Sequence, residues 1–189
     1  ITGYGLPQGR ILIHPNACLR AESIKQAERE NTAFPTHFPE VPEKGALLLY
    51  VAAFVKGKNH LPFLRGIQGY LRQNPQHRLV LIGEGPEQER VRNWLRAERL
   101  DKQVSLPGFQ ENLAGWYANA TLALSPSLEE SLPNALVEAQ YAGLPVVAYD
   151  EAGVRETFLP GDSGILIPRG DEDAFIGAVH RMAAGMDGR

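Results

Sequence analysis

The feature that most constrains this chain is the character of its apolar segments. From residue 46 onward they are short, continuous and of strand length, and helical stretches alternate with them. Leu47–Phe54, Arg78–Ile82, Gln103–Leu106, Thr121–Leu124, Pro145–Tyr149 and Gly164–Ile167 read as strands. A helix is expected from about His60 to Gln73, and a second after Gly83-Glu84-Gly85-Pro86 with Val91, Trp94 and Leu95 on one face. Shorter helices are expected over Asn112–Asn119 and Pro133–Tyr141, where Pro86 and Pro133 suit a first helical position that needs no N–H donor. Asp171 is placed to cap a last helix lined by Phe175, Ile176, Val179 and Met182. Strands that are apolar throughout are buried on both faces, as in a parallel sheet covered by helices. The expected architecture is a Rossmann-like, doubly wound α/β domain with a parallel sheet of about six strands.

The 189 residues suit one domain, with the main body over 46–189. Residues 1–45 read as a lead-in segment packing on it: Ile11–His14 is a short strand candidate, Ala21–Glu30 a mostly charged helix candidate and Phe34–Glu43 a proline-rich loop. A net charge of -3 argues against a domain that wraps nucleic acid, which needs a strong positive field. The single cysteine, Cys18, excludes an internal disulfide and a cysteine-rich metal site, and fits a reducing, cytoplasmic setting. No apolar run is long enough to span a bilayer, and no signal peptide is visible. The first residue is Ile and the last five are Gly-Met-Asp-Gly-Arg, so the chain reads as a piece of a longer one.

Ligands of doubly wound sheets sit beyond the carboxyl ends of the strands, so the loops there hold the candidates. Gly83-Glu84-Gly85 is weak by itself, since a tight turn needs glycine with or without a ligand. The loop Ser125–Asn134 says more. It carries Glu129 and Glu130 ahead of a helix start, whose N–H groups and dipole favour phosphate. Glu138, between apolar neighbours one turn further in, should lean back toward the same mouth. Two carboxylates with a helix start between them suit a ligand bearing both hydroxyls and phosphate, as a nucleotide sugar does.

Glu130-Ser-Leu-Pro-Asn-Ala-Leu-Val-Glu138-Ala, followed by Gly143-Leu-Pro-Val-Val-Ala148, resembles the signature of retaining glycosyltransferases of family 4, the group 1 type with the GT-B fold. Arg10–Asn16, Leu79–Pro86, Val104–Phe109, Pro126-Ser127, Gly153–Glu156 and Gly161–Pro168 extend the resemblance in order along nearly the whole chain. It implies the donor-binding half of such an enzyme, moving a hexosyl group from a nucleotide diphosphate sugar to an acceptor hydroxyl. By resemblance, Glu130 would contact the donor hexose near its anomeric carbon, and Lys58 would bind phosphate. Glu138 would hold the ribose, and the backbone of Ser131, Leu132 and Asn134 would face the sugar and phosphates. Gly85 would allow close backbone approach, and Phe109 would offer its backbone to the nucleobase. No metal or cofactor is expected, because fixed cations and the helix dipole would neutralise the leaving diphosphate.

Two departures stand out. The family pairs the phosphate-binding lysine with an arginine five residues earlier, after a glycine, and here Ala52-Ala53 stand in those places. Losing one charge-assisted hydrogen bond should cost roughly one to three decades in rate or affinity, which Lys56 would offset in part unless it is only a solvated loop charge. Ser131 replaces a usual glycine. A degenerate, non-catalytic interaction or nucleotide-binding domain is therefore the alternative. An N-terminal acceptor-binding half is the implied partner, and the resemblance leaves room for peripheral membrane association of the full enzyme. The five histidines show no metal spacing, with only His60 placed near a ligand. Trp94, Trp116 and Tyr117 read as core, and Arg90, Arg92, Arg96 and Arg99 as a solvated helix face.

Overall fold

The computed structural model describes residues 39–42, 45–130, 133–157 and 164–184. Six strands form one sheet: β1 (Leu47–Val51), β2 (Arg78–Ile82), β3 (Val104–Gly108), β4 (Leu122–Ser125), β5 (Val146–Tyr149) and β6 (Gly164–Ile167). Every neighbouring pair is parallel, in the order β3-β2-β1-β4-β5-β6. The chain works outward from β1 in one direction, returns to β4, and works outward in the other. The reversal leaves a crevice beyond the carboxyl ends of β1 and β4, where ligands of such sheets bind.

Alternating strand residues divide the interior into two layers. Leu48, Tyr50, Leu79, Leu81, Leu122, Leu124, Val147 and Tyr149 pack on one face, with α1 (His60–Gln73), α2 (Gln88–Ala97) and α6 (Glu172–Ala184). Leu47, Leu49, Val80, Ile82, Ala123, Val146 and Ala148 pack on the other, with α3 (Ala114–Asn119), α4 (Asn134–Tyr141) and α5 (Ala152–Arg155). Each large side chain removed from water contributes about 1.5–3 kcal/mol, so burial on both faces is what holds a parallel sheet flat between helices. Trp116 and Tyr117 are core, as their helical placement suggests. Asp171 caps α6 through its carboxylate, which accepts the Ala174 N–H at 3.0 Å.

Several boundaries differ from the sequence reading, each for a local reason. β1 ends at Val51 rather than Phe54, although the ladder continues irregularly: Ala52 N–H donates to the Ile82 carbonyl and Phe54 N–H to that of Glu84. A 3₁₀ turn, Lys56–Lys58, precedes α1. α2 begins at Gln88, not Pro86, because a turn comes first, with Gln88 N–H bonded to the Gly85 carbonyl and Glu87 N–H to that of Phe54. Pro133 is the residue before α4, with extended backbone, rather than its first helical residue. β3 runs on to Gly108 through a register shift opposite β2, and as an edge strand it tolerates Pro107. The strand and helix expected over 11–14 and 21–30, Cys18, His14, His37, Ser131 and Leu132 lie outside the described residues.

Candidate functional site

The loop between β1 and α1 and the loop between β4 and α4 meet at the crevice and are fastened together. Leu128 N–H donates to the Gly57 carbonyl at 3.0 Å, and the Asn59 side-chain amide donates to the Pro126 carbonyl at 3.1 Å. Asn59 itself takes the left-handed conformation, φ 57°, which a short polar side chain tolerates better than most. Gly57 lies against Glu129, so that a Cβ there would meet the carboxylate of that exposed side chain and push it aside. The Tyr50 hydroxyl, at the buried end of β1, donates to the Lys58 carbonyl at 2.7 Å.

These ties deliver Lys58 to the mouth. Its Nζ lies 2.8 Å from Glu130 Oε1 and donates to the Glu129 carbonyl at 2.9 Å. The ion pair is half-hidden, with the Glu130 side chain 10% exposed and that of Lys58 22%. Burial and the Glu130 charge both push the Tyr50 hydroxyl well above its ordinary pKa, so it remains a donor at neutral pH. Glu138, on α4, is half-buried, and its Oε2 accepts a 3.1 Å hydrogen bond from the Tyr117 hydroxyl. Tyr117 and Glu130 line one small cleft together with Ser125, Pro133 and the end of β1. Pro133, the residue before α4, supplies no side-chain cap to the helix.

Of the residues singled out from the sequence, Lys58 and Glu130 are in direct contact, and Glu138 is linked to the Glu130 cleft through Tyr117, which lines it. Asn134 is exposed at the start of α4. Phe109 is 67% exposed just beyond β3, its N–H 3.4 Å from a Glu84 carboxylate oxygen. Gly85, at φ 154°, makes a close approach within the fold: a Cβ there would lie 2.5 Å from the Phe54 carbonyl oxygen. Lys56 is exposed and lines a different cavity, with Val55, Arg65 and Arg90. His60 is buried, stacked on Phe54 at 4.1 Å and on Tyr50 at 4.8 Å. Burial, with the Lys58 charge adding to it, lowers its pKa to about 4, so the ring is neutral at pH 7. His77 is also buried and structural, its Nδ1 accepting the Ala46 N–H at 2.7 Å. Ala53 is exposed just beyond β1 and carries no charge.

Tyr50, Gly57, Asn59, Tyr117 and Ser127 also shape the site, and the sequence reading did not single them out for it. The one signal available was their position, at the end of β1, in the loops that follow β1 and β4, or on the helix just before β4. Ser127, buried beside Gly57, donates from its hydroxyl to the Glu129 carbonyl at 3.2 Å. Among the described residues, no three histidine, cysteine or acidic side chains gather as a metal set, and no helix is long and apolar enough to cross a membrane.

The fold and the glutamate-bearing loop define a class. Residues 45–184 match the family described as glycosyl transferases group 1, and the chain belongs to that family. It is 35% identical over 121 residues to an exopolysaccharide phosphotransferase of Streptomyces coelicolor, an alignment covering 61% of this chain and 13% of that protein. It is 28% identical over 201 residues to D-inositol 3-phosphate glycosyltransferase 2 of Catenulispora acidiphila, covering 95% and 45%. The chain thus spans under half the length of either relative. Its sheet and helices superpose on Anabaena HepE, solved in complex with UDP, with a TM-score of 0.65, 20% identity and coverage of 88% and 44%. The architecture is one half of a GT-B fold.

Proposed function

We propose that this chain is the donor-binding half of a retaining, family 4 glycosyltransferase that transfers a hexosyl group from a nucleotide diphosphate sugar to an acceptor hydroxyl. One observation carries the reading: Lys58 and Glu130 meet across the crevice between β1 and β4, beside a Glu138 aligned by Tyr117. A cation, two carboxylates and a helix start are what a ligand with phosphates and two sets of hydroxyls needs. In this reading Lys58 takes a phosphate oxygen, helped by the backbone of Asn134 at the start of α4, and the family resemblance adds the backbone of Ser131 and Leu132. Glu130 accepts hydrogen bonds from the hexose and Glu138 from the ribose, while the exposed backbone at Phe109 meets the base. The close fit of Gly85 on the β1 loop sets the floor under that base. Lys58 and the helix dipole neutralise the departing diphosphate, so no step calls for a metal. The partner is an acceptor-binding half, with the cytoplasm as setting.

Calorimetric titration with UDP, GDP and ADP, with magnesium and with EDTA, tests this. Binding of one nucleotide is expected, unchanged by EDTA and weakened at least tenfold by Glu138→Ala. Failure of all three to bind would overturn it. The second reading, a degenerate interaction domain, draws on Ala53, and Ala53→Arg separates the two. A gain of tenfold or more in nucleotide affinity marks a donor site, and no gain marks an interaction domain.

A further inference from the structure

The loop that presents Lys58 to the donor crevice presents Lys56 elsewhere. A cavity of about 220 Å³ lies between the start of α1 and the start of α2, lined by Val55, Lys56, His60, Arg65, Glu87 and Arg90 among others. It opens at the carboxyl ends of β1 and β2, the same edge of the sheet as the crevice. Three cations share it in a chain whose net charge is -3. Only Arg90 has a carboxylate among the described residues, Glu87 at 3.2 Å, and that pair is exposed, so Arg90 keeps N–H donors to spare. Lys56 and Arg65 are exposed on the cavity wall, and their charges face no carboxylate partner among the described residues.

His60 closes one side of the cavity. It is 3% exposed and forms part of this cavity's wall, yet neither ring nitrogen has a hydrogen-bond partner. A neutral imidazole carries one N–H, and a buried donor is satisfied about nine times in ten in native proteins. The rings of Tyr50 and Phe54 stack on it and both ring nitrogens are shut off from solvent, so His60 shapes the cavity's wall without offering a direct contact.

We infer that this cavity is a second anion site, distinct from the donor crevice, and that it takes the dianionic phosphate of a phosphomonoester. The charge matches: two unpartnered cations meet two negative charges, with Arg90 as a third contact able to fork onto the same group. The size matches as well. A water occupies about 30 Å³ of liquid, so the cavity has the volume of about seven, room for a phosphoryl group and a few carbons. Two anion sites on one loop, Lys58 toward one and Lys56 toward the other, would let a phosphorylated small molecule bind while the crevice is occupied. The site stands on its own residues and does not depend on the donor reading.

The probes are inorganic phosphate and glycerol 3-phosphate, titrated by calorimetry and by amide chemical shifts, with acetate at matched ionic strength as the control anion. Both phosphates should bind, more tightly than acetate, and should shift amides of residues 55–65 and 87–90. Arg65→Ala/Arg90→Ala should weaken that binding at least tenfold while UDP titrates as before, and a melting curve shows that the variant is folded. Lys58→Ala should leave phosphate binding in place. Three results would overturn the inference. Acetate binding as tightly as phosphate would mark a general ion atmosphere, and competition by UDP or loss with Lys58→Ala would put the anion in the crevice. No phosphate binding at all would remove the site.

Discussion

Lys58 already has an anion. Glu130 holds it at 2.8 Å, so a diphosphate bound as proposed must take the cation from a carboxylate. Glu130→Gln should therefore raise nucleoside diphosphate affinity severalfold, up to about tenfold, or 1.4 kcal/mol, and titration of both proteins with the same nucleotide checks it. Weaker binding by the Gln variant would mean that Glu130 positions Lys58 more than it competes for it. His60 titrates with a clear sign. Its folded pKa of about 4 lies below the ordinary 6.5, so the unfolded chain binds the extra proton between those values. Its contribution is fully present above pH 6.5 and is lost as pH falls toward 4, by about 3 kcal/mol at most. His60→Phe keeps the stack on Phe54 and Tyr50 and removes the titration. Urea denaturation of the two proteins should show the wild type losing stability relative to the variant between pH 6.5 and 4; parallel curves would contradict the assignment. Glu130 and Glu138 were the legible part of the candidate site, because carboxylates have few reasons to flank an apolar strand end and a helix turn, whereas Lys58 entered only through the family resemblance. Tyr117 was not legible. An aromatic on a helix's inner face reads as core, which it is, and only the three-dimensional register of α3 against α4 carries its hydroxyl to Glu138.

At the scale of elements, the apolar runs identified all six strands, and Arg78–Ile82 and Gly164–Ile167 coincide with β2 and β6 to the residue. Where the reading missed, backbone pairing outside regular structure was responsible. The turn at Lys56–Lys58 and the four-residue α5 are too short to leave an apolar period, and β3 ends where an edge strand can absorb a proline. The Gly83-Glu84-Gly85 turn shows how a motif can be read correctly for an incomplete reason. Both glycines have positive φ, 140° and 154°, and both lie against the backbone of residues 52–54. The turn thus fixes the β1 loop whether or not a ligand is present. Gly85→Ala should cost about 1–3 kcal/mol from backbone strain alone, and the displaced Phe54 backbone should move the loop that carries Lys58. Thermal melts measure the first effect and nucleotide titration the second. A variant that melts lower but binds nucleotide as before would show that loop and crevice are independent.

The whole molecule sets a limit that no single residue does. One half of a GT-B fold can surround a nucleotide sugar from one side, but transfer needs an acceptor oxygen held against the anomeric carbon while the diphosphate departs. Fixing both reactants is worth about 7–11 kcal/mol of the barrier in well-oriented systems, and none of that is available when the acceptor arrives from solution. Binding and transfer should therefore separate in this chain. The same preparation that binds a nucleoside diphosphate should release no nucleotide from the corresponding nucleotide sugar above the buffer rate, with or without sugar alcohols as acceptors. Coupled detection of released nucleoside diphosphate measures this, and Ala53→Arg makes the comparison sharper. If binding rises tenfold in that variant and turnover stays at background, donor recognition belongs to this half and the transition state to both halves together. Turnover by the chain alone would mean that the acceptor is held by residues on this sheet, and the cation-lined cavity beside the crevice would be the first place to look.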